Sequence, residues 1–339
     1  MSWTKRISIW IVISLSLQCL GFFYIDHYFL ASDSKVVSKK VVEEVSTKAK
    51  NIDITIPTNA ENILVSYDAK YISYYADEKL VTVNCLTGES KNIKSEDGCN
   101  ISYASWVTGR NRMILVENDE SSNLILYSYD VVKDLKSKTI ELEWGGTNPK
   151  IEDIQTAPLT GLIYVKVSNK DNNSSIYRID RNPDMSKIHT IPKHVGNMVL
   201  IRYEDKLFYE GSVYNKIYVT GKSNAISVGD VDKFTLIGTD EKDNIYLAQL
   251  KDNLISKLYY GKTSQDTSTW KAIELQTPCA KENLFILTNG KIYQNDSLKG
   301  IVKDIDCGAK TKYEGKLLEL YNDGGICLIN NKISFVTFK

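Results

Sequence analysis

Residues 112–130 read RMILVENDESSNLILYSYD. Two apolar runs, Arg112-Met-Ile-Leu-Val116 and Asn123-Leu-Ile-Leu-Tyr-Ser-Tyr129, flank a polar stretch containing Asn118-Asp-Glu120. β-Branched and aromatic residues suit a pleated, half-buried backbone, and Asn and Asp tolerate the tight conformations of a turn. The stretch therefore reads as a hairpin.

The same pattern recurs on both sides of it. Copies of the second strand are Lys79-Leu-Val-Thr-Val-Asn-Cys85, Ser175-Ile-Tyr-Arg-Ile-Asp180, Lys216-Ile-Tyr-Val-Thr220, Lys257-Leu-Tyr-Tyr260, Lys291-Ile-Tyr-Gln294 and Gly325-Ile-Cys-Leu-Ile329. Counted from the second residue of each, the seven start at 80, 124, 176, 217, 258, 292 and 326, with intervals of 44, 52, 41, 41, 34 and 34 residues. Apolar partners precede several of them, such as Lys70-Tyr-Ile-Ser-Tyr-Tyr75, Gly161-Leu-Ile-Tyr-Val-Lys-Val167 and Asn244-Ile-Tyr-Leu-Ala248. Strands repeating at roughly 40 residues, with no amphipathic helix between them, predict an all-β chain: a β-propeller of seven four-stranded blades. The two short final intervals leave six or eight blades open, and two stacked β-sandwich domains are the competing architecture. Ile52-Asp-Ile-Thr-Ile56 alternates as a strand. It is expected to join the last blade beside Lys332-Ile-Ser-Phe-Val-Thr-Phe338 and so remove an exposed edge.

The N-terminus has a different character. Residues 7–25, ISIWIVISLSLQCLGFFYI, carry no charge, and Lys5 and Arg6 precede them. As a helix they are long enough for a bilayer core of about 30 Å. Positive charge before the span places residues 1–6 in the cytoplasm and the body outside it. A cleaved signal peptide is the rival reading. Residues 26–50 turn polar and charged and read as a stalk. The expected organisation is thus a tail at 1–6, a transmembrane anchor at 7–25, a stalk at 26–50 and a propeller at 51–339, on a single-pass protein of the cell membrane.

Lys plus Arg and Asp plus Glu both number 42, so no sequence-wide cationic field is available for a nucleic acid. Six cysteines occur, none spaced as CxxC. Cys85 with Cys99, or Cys279 with Cys307, could bridge; buried free thiols are the alternative.

Leu126-Tyr-Ser-Tyr-Asp130 and Ile176-Tyr-Arg-Ile-Asp180 resemble blades of TolB-like propellers and of the N-terminal propeller of dipeptidyl peptidase IV. The likeness spans roughly residues 60–339 and implies shape rather than activity. The Pro-x-Trp-Ser-Pro-Asp-Gly strand start of that family is missing throughout. Ser264-Gln-Asp-Thr-Ser-Thr-Trp270 resembles the Asp box of sialidase-type propellers, lacking its Gly and one residue. That resemblance implies a structural turn in a blade.

Candidate chemistry is sparse. Gly221-Lys-Ser-Asn-Ala225 approaches a nucleophile elbow, but a strand rather than a helix is predicted to follow it. His189 and His194 flank Pro192 without nearby metal partners, and Asp240-Glu-Lys-Asp-Asn244 lacks the Gly of a calcium loop. Arg110, Arg112, Arg178, Arg181 and Arg202 show no spacing that assigns them to one site. No catalytic, cofactor or metal set is expected. The function read from the sequence is a non-catalytic binding or scaffolding module for another protein or a cell-envelope ligand, with Trp106, Trp144 and Trp270 as candidate anchors. The alternative is a propeller-type hydrolase, glycoside-processing or peptidase-related, whose active site carries no recognisable motif.

Overall fold

The computed structural model describes residues 3–24, 52–119, 121, 123–142, 150–169, 173–182, 184–231, 233–322 and 324–338. Trp144 and the expected stalk lie outside them. Two units result, residues 1–48 and 49–339. Within the first, helix α1 (Trp3–Tyr24) begins four residues before the expected anchor. It is apolar and long enough to cross a membrane, a test that a signal sequence also passes.

The second unit is a ring of seven antiparallel meanders. The first blade comprises β1 (Glu61–Val65), β2 (Tyr71–Ala76), β3 (Lys79–Asn84) and β4 (Ser90–Ile93), and the second β5 (Asn100–Trp106), β6 (Arg112–Asn118), β7 (Leu124–Asp130) and β8 (Leu135–Leu142). The third holds β9 (Lys150–Ala157), β10 (Leu162–Ser168), β11 (Ser174–Ile179) and β12 (Met185–Ile188), and the fourth β13 (Val195–Leu200), β14 (Leu207–Gly211) and β15 (Lys216–Val219). In the fourth, Ile226 N–H donates to the Ile217 carbonyl at 2.8 Å, so an extended segment occupies the outer position. The fifth contains β16 (Phe234–Thr239), β17 (Ile245–Lys251), β18 (Leu254–Gly261) and β19 (Lys271–Cys279), and the sixth β20 (Leu284–Ile286), β21 (Ile292–Asp296), β22 (Ile301–Asp304) and β23 (Lys310–Lys312). The last is built from β24 (Lys316–Tyr321), β25 (Gly324–Ile329) and β26 (Lys332–Thr337).

The N-terminal strand fills the outer position of this last blade, as the alternation of residues 52–56 predicts. Thr55 pairs with Lys332, Ile56 N–H donates to the Asn331 carbonyl at 2.7 Å, and Ile333 N–H donates to the Ile54 carbonyl at 2.9 Å. With β24 lying against β1, the ring is closed.

The first of the two short intervals in the repeat has a structural cause. The first five copies are third strands, β3, β7, β11, β15 and β18. The copies at Lys291 and Gly325 are second strands, β21 and β25. The step from Leu258 to Ile292 is therefore short by one strand, and the count of seven stands.

Burial explains the composition of each strand. Second strands are covered on both faces, so β6 and β10 are buried along nearly their whole length and read as continuous apolar runs. Outer strands face solvent; β23 carries Lys310 and Lys312, whose charges blunt an edge. Three of the turns from second to third strand place two successive non-glycine residues at positive φ: Asp77-Glu78, Asp252-Asn253 and Asn330-Asn331. Such turns match the twist of a tight hairpin. The apolar core forms seven clusters. Each joins neighbouring blades: Val116 and Leu126 meet Val165 and Ile179 between the second and third, and Ile54, Ile56 and Ile72 meet Ile326 between the last and first.

All six cysteines are free. Burial pushes the Cys85 thiol up to about 12 and those of Cys279 and Cys327 up to about 11. At pH 8 roughly a thousandth or less of each is thiolate, the reactive form. With Cys19 replaced by Ser, a thiol reagent such as iodoacetamide is expected to modify exposed Cys307 in the native protein and these three only on unfolding. Equal labelling of all four below the unfolding transition would contradict this.

Candidate functional site

The first strand of each blade lines a central channel with two unlike ends. At one end the first strands begin. A cleft of about 910 Å³ opens there between the first two blades. Its lining holds the carboxylates of Glu61, Asp77, Glu78 and Glu319, the aromatics Tyr75, Tyr103 and Trp106 and, among the described residues, no Lys or Arg. Asn59 Nδ2 donates to Asp77 Oδ1 at 2.8 Å. Tyr75 Oη is shut from solvent without a hydrogen-bond partner. Burial, and secondarily Tyr103, pushes its hydroxyl up to about 12. Tyr103 Oη accepts from the Ile154 N–H at 3.2 Å, tying β5 to β9.

Asp153 and Glu319 are carboxyls carried by first strands. Asp153 on β9 accepts from Gln155 Nε2 at 3.1 Å, and Glu319 on β24 accepts from its neighbour's N–H, Leu320, at 3.4 Å. Burial raises both above the usual carboxylate range. Glu319 is wetted by the channel yet enclosed by protein, so its charge is poorly solvated. A raised carboxyl favours the protonated fold, so ionisation costs stability above its folded pKa, and the cost disappears as pH falls through the ordinary range near ~4.3. Glu319→Gln is therefore expected to raise Tm at pH 7 and to lose that gain towards pH 4. A gain independent of pH would contradict the assignment.

At the other end the first strands finish, and a cavity of about 340 Å³ receives residues from all seven blades: Tyr67, Thr108, Pro158, Arg202, Thr239, Thr288 and Asn322 among them. The turns that carry these residues are tied together. Asp68 Oδ2 accepts from Asn111 Nδ2 at 2.9 Å, joining the first two blades. Asp205 accepts from Tyr164 Oη at 2.5 Å and from Arg178 Nε at 2.9 Å, joining the fourth to the third. Asp243 accepts from the N–H groups of Arg202 and Tyr203 at 2.8 and 3.0 Å. Glu241 N–H donates to the Thr288 carbonyl at 2.8 Å, and Thr288 Oγ1 bonds Asn322 Oδ1 at 3.1 Å. Charged acceptors holding backbone donors make a stiff rim. The acidic run at 240–244 belongs to this frame: Asp240 accepts from the N–H groups of Lys242 and Asn244, from Asn244 Nδ2 and from Tyr246 Oη. Among the described residues, no group of three or more His, Cys, Asp or Glu side chains is arranged to hold a metal.

Of the three tryptophans singled out in the sequence, Trp106 lines both cavities. Its Nε1 donates to Ser73 Oγ at 3.1 Å, and its ring stacks on Tyr71. Trp270 is buried in the cluster between the fourth and fifth blades, with Nε1 unpartnered. It follows a 3₁₀ turn, Thr267–Thr269, whose entry is capped by Asp266 accepting from the Ser268 N–H at 2.9 Å. The Asp-box resemblance thus falls on a capped turn with a buried Trp. The ring presses on Gly261, where an added Cβ would lie 2.4 Å from Trp270 Cδ1. Trp144 is outside the described residues. His189 and His194 are exposed, and Gly221 sits in a turn at φ 81° with no helix after it.

The arginines are what sequence reasoning missed. All five beyond the helix lie at the seven-blade end, on the second, third and fourth blades: Arg110 and Arg112 at the β5–β6 turn, Arg178 and Arg181 where β11 ends, and Arg202 just after β13. No spacing along the chain signals this, because the five come from three separate turns on three blades.

No family model matches the sequence, and no curated protein is similar enough to count as a relative. Solved structures do share the fold. A prolyl endopeptidase aligns at TM-score 0.53 and 12% identity, covering 83% of this chain and 50% of that one. A chain of a mitotic checkpoint complex aligns at TM-score 0.51 and 8% identity, covering 90% and 99%. Dipeptidyl peptidase 4 of Porphyromonas gingivalis aligns at TM-score 0.45 and 11% identity, covering 82% and 45%. The chain thus spans about half the length of each peptidase. At these identities the likeness concerns fold alone, and the seven antiparallel sheets in a ring define the class as the seven-bladed β-propeller.

Proposed function

We propose that this protein is a membrane-anchored, extracytoplasmic propeller that acts as a non-catalytic binding or scaffolding module for another protein or a cell-envelope ligand. One observation carries the reading: a single cavity mouth receives a residue from every blade, on turns held rigid by bonds between blades. A preorganised rim loses little entropy when a partner docks. Trp106 remains the anchor of the opposite cleft, where its ring is fixed by Ser73 and Tyr71. The uncharged run of residues 7–25, preceded by Lys5 and Arg6, supports an N-terminus in the cytoplasm.

The test is photo-crosslinking in intact membranes, with a photoreactive residue placed in turn at each end of the channel, alongside external protease. The reading expects a discrete adduct from at least one end, and a propeller cut by protease without cell lysis. No adduct from either end, or a propeller protected until lysis, overturns it.

A further inference from the structure

Three arginines at the seven-blade end, Arg110, Arg181 and Arg202, make no ion pair within the described residues, while several carboxylates at this end are committed elsewhere. Asp68 is held by Asn111 and Lys70, Asp130 by Arg112, Asp205 by Tyr164 and Arg178, and Glu204 by Lys206. Asp243 accepts from the backbone of Arg202 and Tyr203. Arg110, Arg181 and Arg202 are thus guanidiniums without an acidic partner among the described residues, whereas Lys70 and Lys206 are paired.

Two of the three converge on one turn, residues 158–161 of the third blade. Arg110 Nη2 donates to the Pro158 carbonyl at 3.3 Å. Arg181 lies over Gly161, where an added Cβ would sit 3.3 Å from its Nε. Arg202 lines the adjoining cavity mouth with Pro158. Leu159 projects from the same turn, 54% exposed, and Tyr203 beside Arg202 is 62% exposed. Exposed apolar and aromatic groups beside arginines that form no ion pair among the described residues have the make-up of a protein-binding hot spot. Planar guanidinium forks match carboxylates in two-point contact.

We propose that this sector docks an acidic segment of another protein, its carboxylates bridging Arg110, Arg181 and Arg202 and an apolar side chain covering Leu159. The proposal rests on the reading of the chain as a binding module and names the face and the partner chemistry. Lipid headgroups and phosphate polymers are the competing occupants.

The test uses full-length protein in neutral-lipid nanodiscs. The probes are a fluorescein-labelled peptide of alternating Glu and Leu, its Lys/Leu counterpart, phosphatidylglycerol vesicles and inorganic polyphosphate. Only the Glu/Leu peptide is expected to bind well, with an affinity that falls as salt rises. The triple variant Arg110→Gln, Arg181→Gln, Arg202→Gln should weaken it about tenfold or more, and Leu159→Ala about fivefold. The triple Arg→Lys variant should recover only part of the loss. All of these are surface changes, and an unchanged melting curve confirms the fold. Equal binding by parent and triple variant overturns the proposal. So does arginine-dependent binding of vesicles or polyphosphate without binding of the peptide. If the peptide fails while crosslinks form at the opposite end, this surface falls and the binding-module reading stands; no crosslink at either end sinks both.

Discussion

Replacing Ile54 and Ile56 together by alanine should remove on the order of 5 kcal/mol of unfolding free energy, from roughly 2–5 kcal/mol per buried isoleucine. The two share one cluster, so their effects are not simply additive. Ile54 is 4% exposed and Ile56 1%, and both pack in the seam between the last and first blades. The expected loss is a large share of the total stability of a typical domain, about 5–15 kcal/mol. The position magnifies it. These residues belong to the strand that closes the ring, and loosening it bares an unpaired edge on β26. Asp53→Ala serves as the control. Its ion pair with Lys332 is exposed on both sides, and such pairs contribute at most about 1 kcal/mol. Urea unfolding followed by fluorescence and circular dichroism measures both. A double variant within about 1 kcal/mol of the parent would mean that residues 52–56 do not close the ring.

Lys136→Met should cost about 3–5 kcal/mol, because it strands a buried carboxylate. The Glu117 side chain on β6 is 0% exposed, with Lys136 Nζ at 2.7 Å. Glu117 also accepts from the Glu96 N–H at 3.1 Å, which holds the connection between the first two blades. Lys136 reaches Glu96 at 2.9 Å and lies 4.7 Å from the centroid of the Tyr127 ring. Burial alone pushes the lysine down, but bonds to Glu117 and Glu96 outweigh it and its pKa is raised. A raised lysine adds stability that is fully present below its unfolded value near ~10.4 and fades as pH climbs through the folded one. The pair therefore works undiminished at neutral pH. Removing both charges with Lys136→Met and Glu117→Leu should recover most of the loss, since an apolar pair needs no solvation. A single variant as stable as the parent, or a double variant worse than the single, would refute the account.

Blade architecture was legible in particular residues. Arg112-Met-Ile-Leu-Val116 is apolar without interruption because both faces of a second strand are covered, and Ile52-Asp-Ile-Thr-Ile56 alternates because one face is. The polar stretch after Val116 marked the hairpin of β6 and β7 because Asn and Asp tolerate tight turns. The phase of the repeat was not legible. Second and third strands are both buried and aromatic, so the copies at Lys291 and Gly325 look like those before them while occupying a different place in the blade.

Sites were less legible than strands. Trp270 ends a stretch that resembles an Asp box and so marks a structural turn, but nothing beside Trp106 in sequence tells that it lines the channel. Strand character, turns and the apolar helix follow from side chains a few residues apart, because backbone sterics and burial periodicity act over that range. Whether Arg110, Arg181 and Arg202 meet around Leu159 depends on how blades pack around an axis. That arrangement comes from seven interblade clusters acting together, and only the tertiary structure could place these residues on one face.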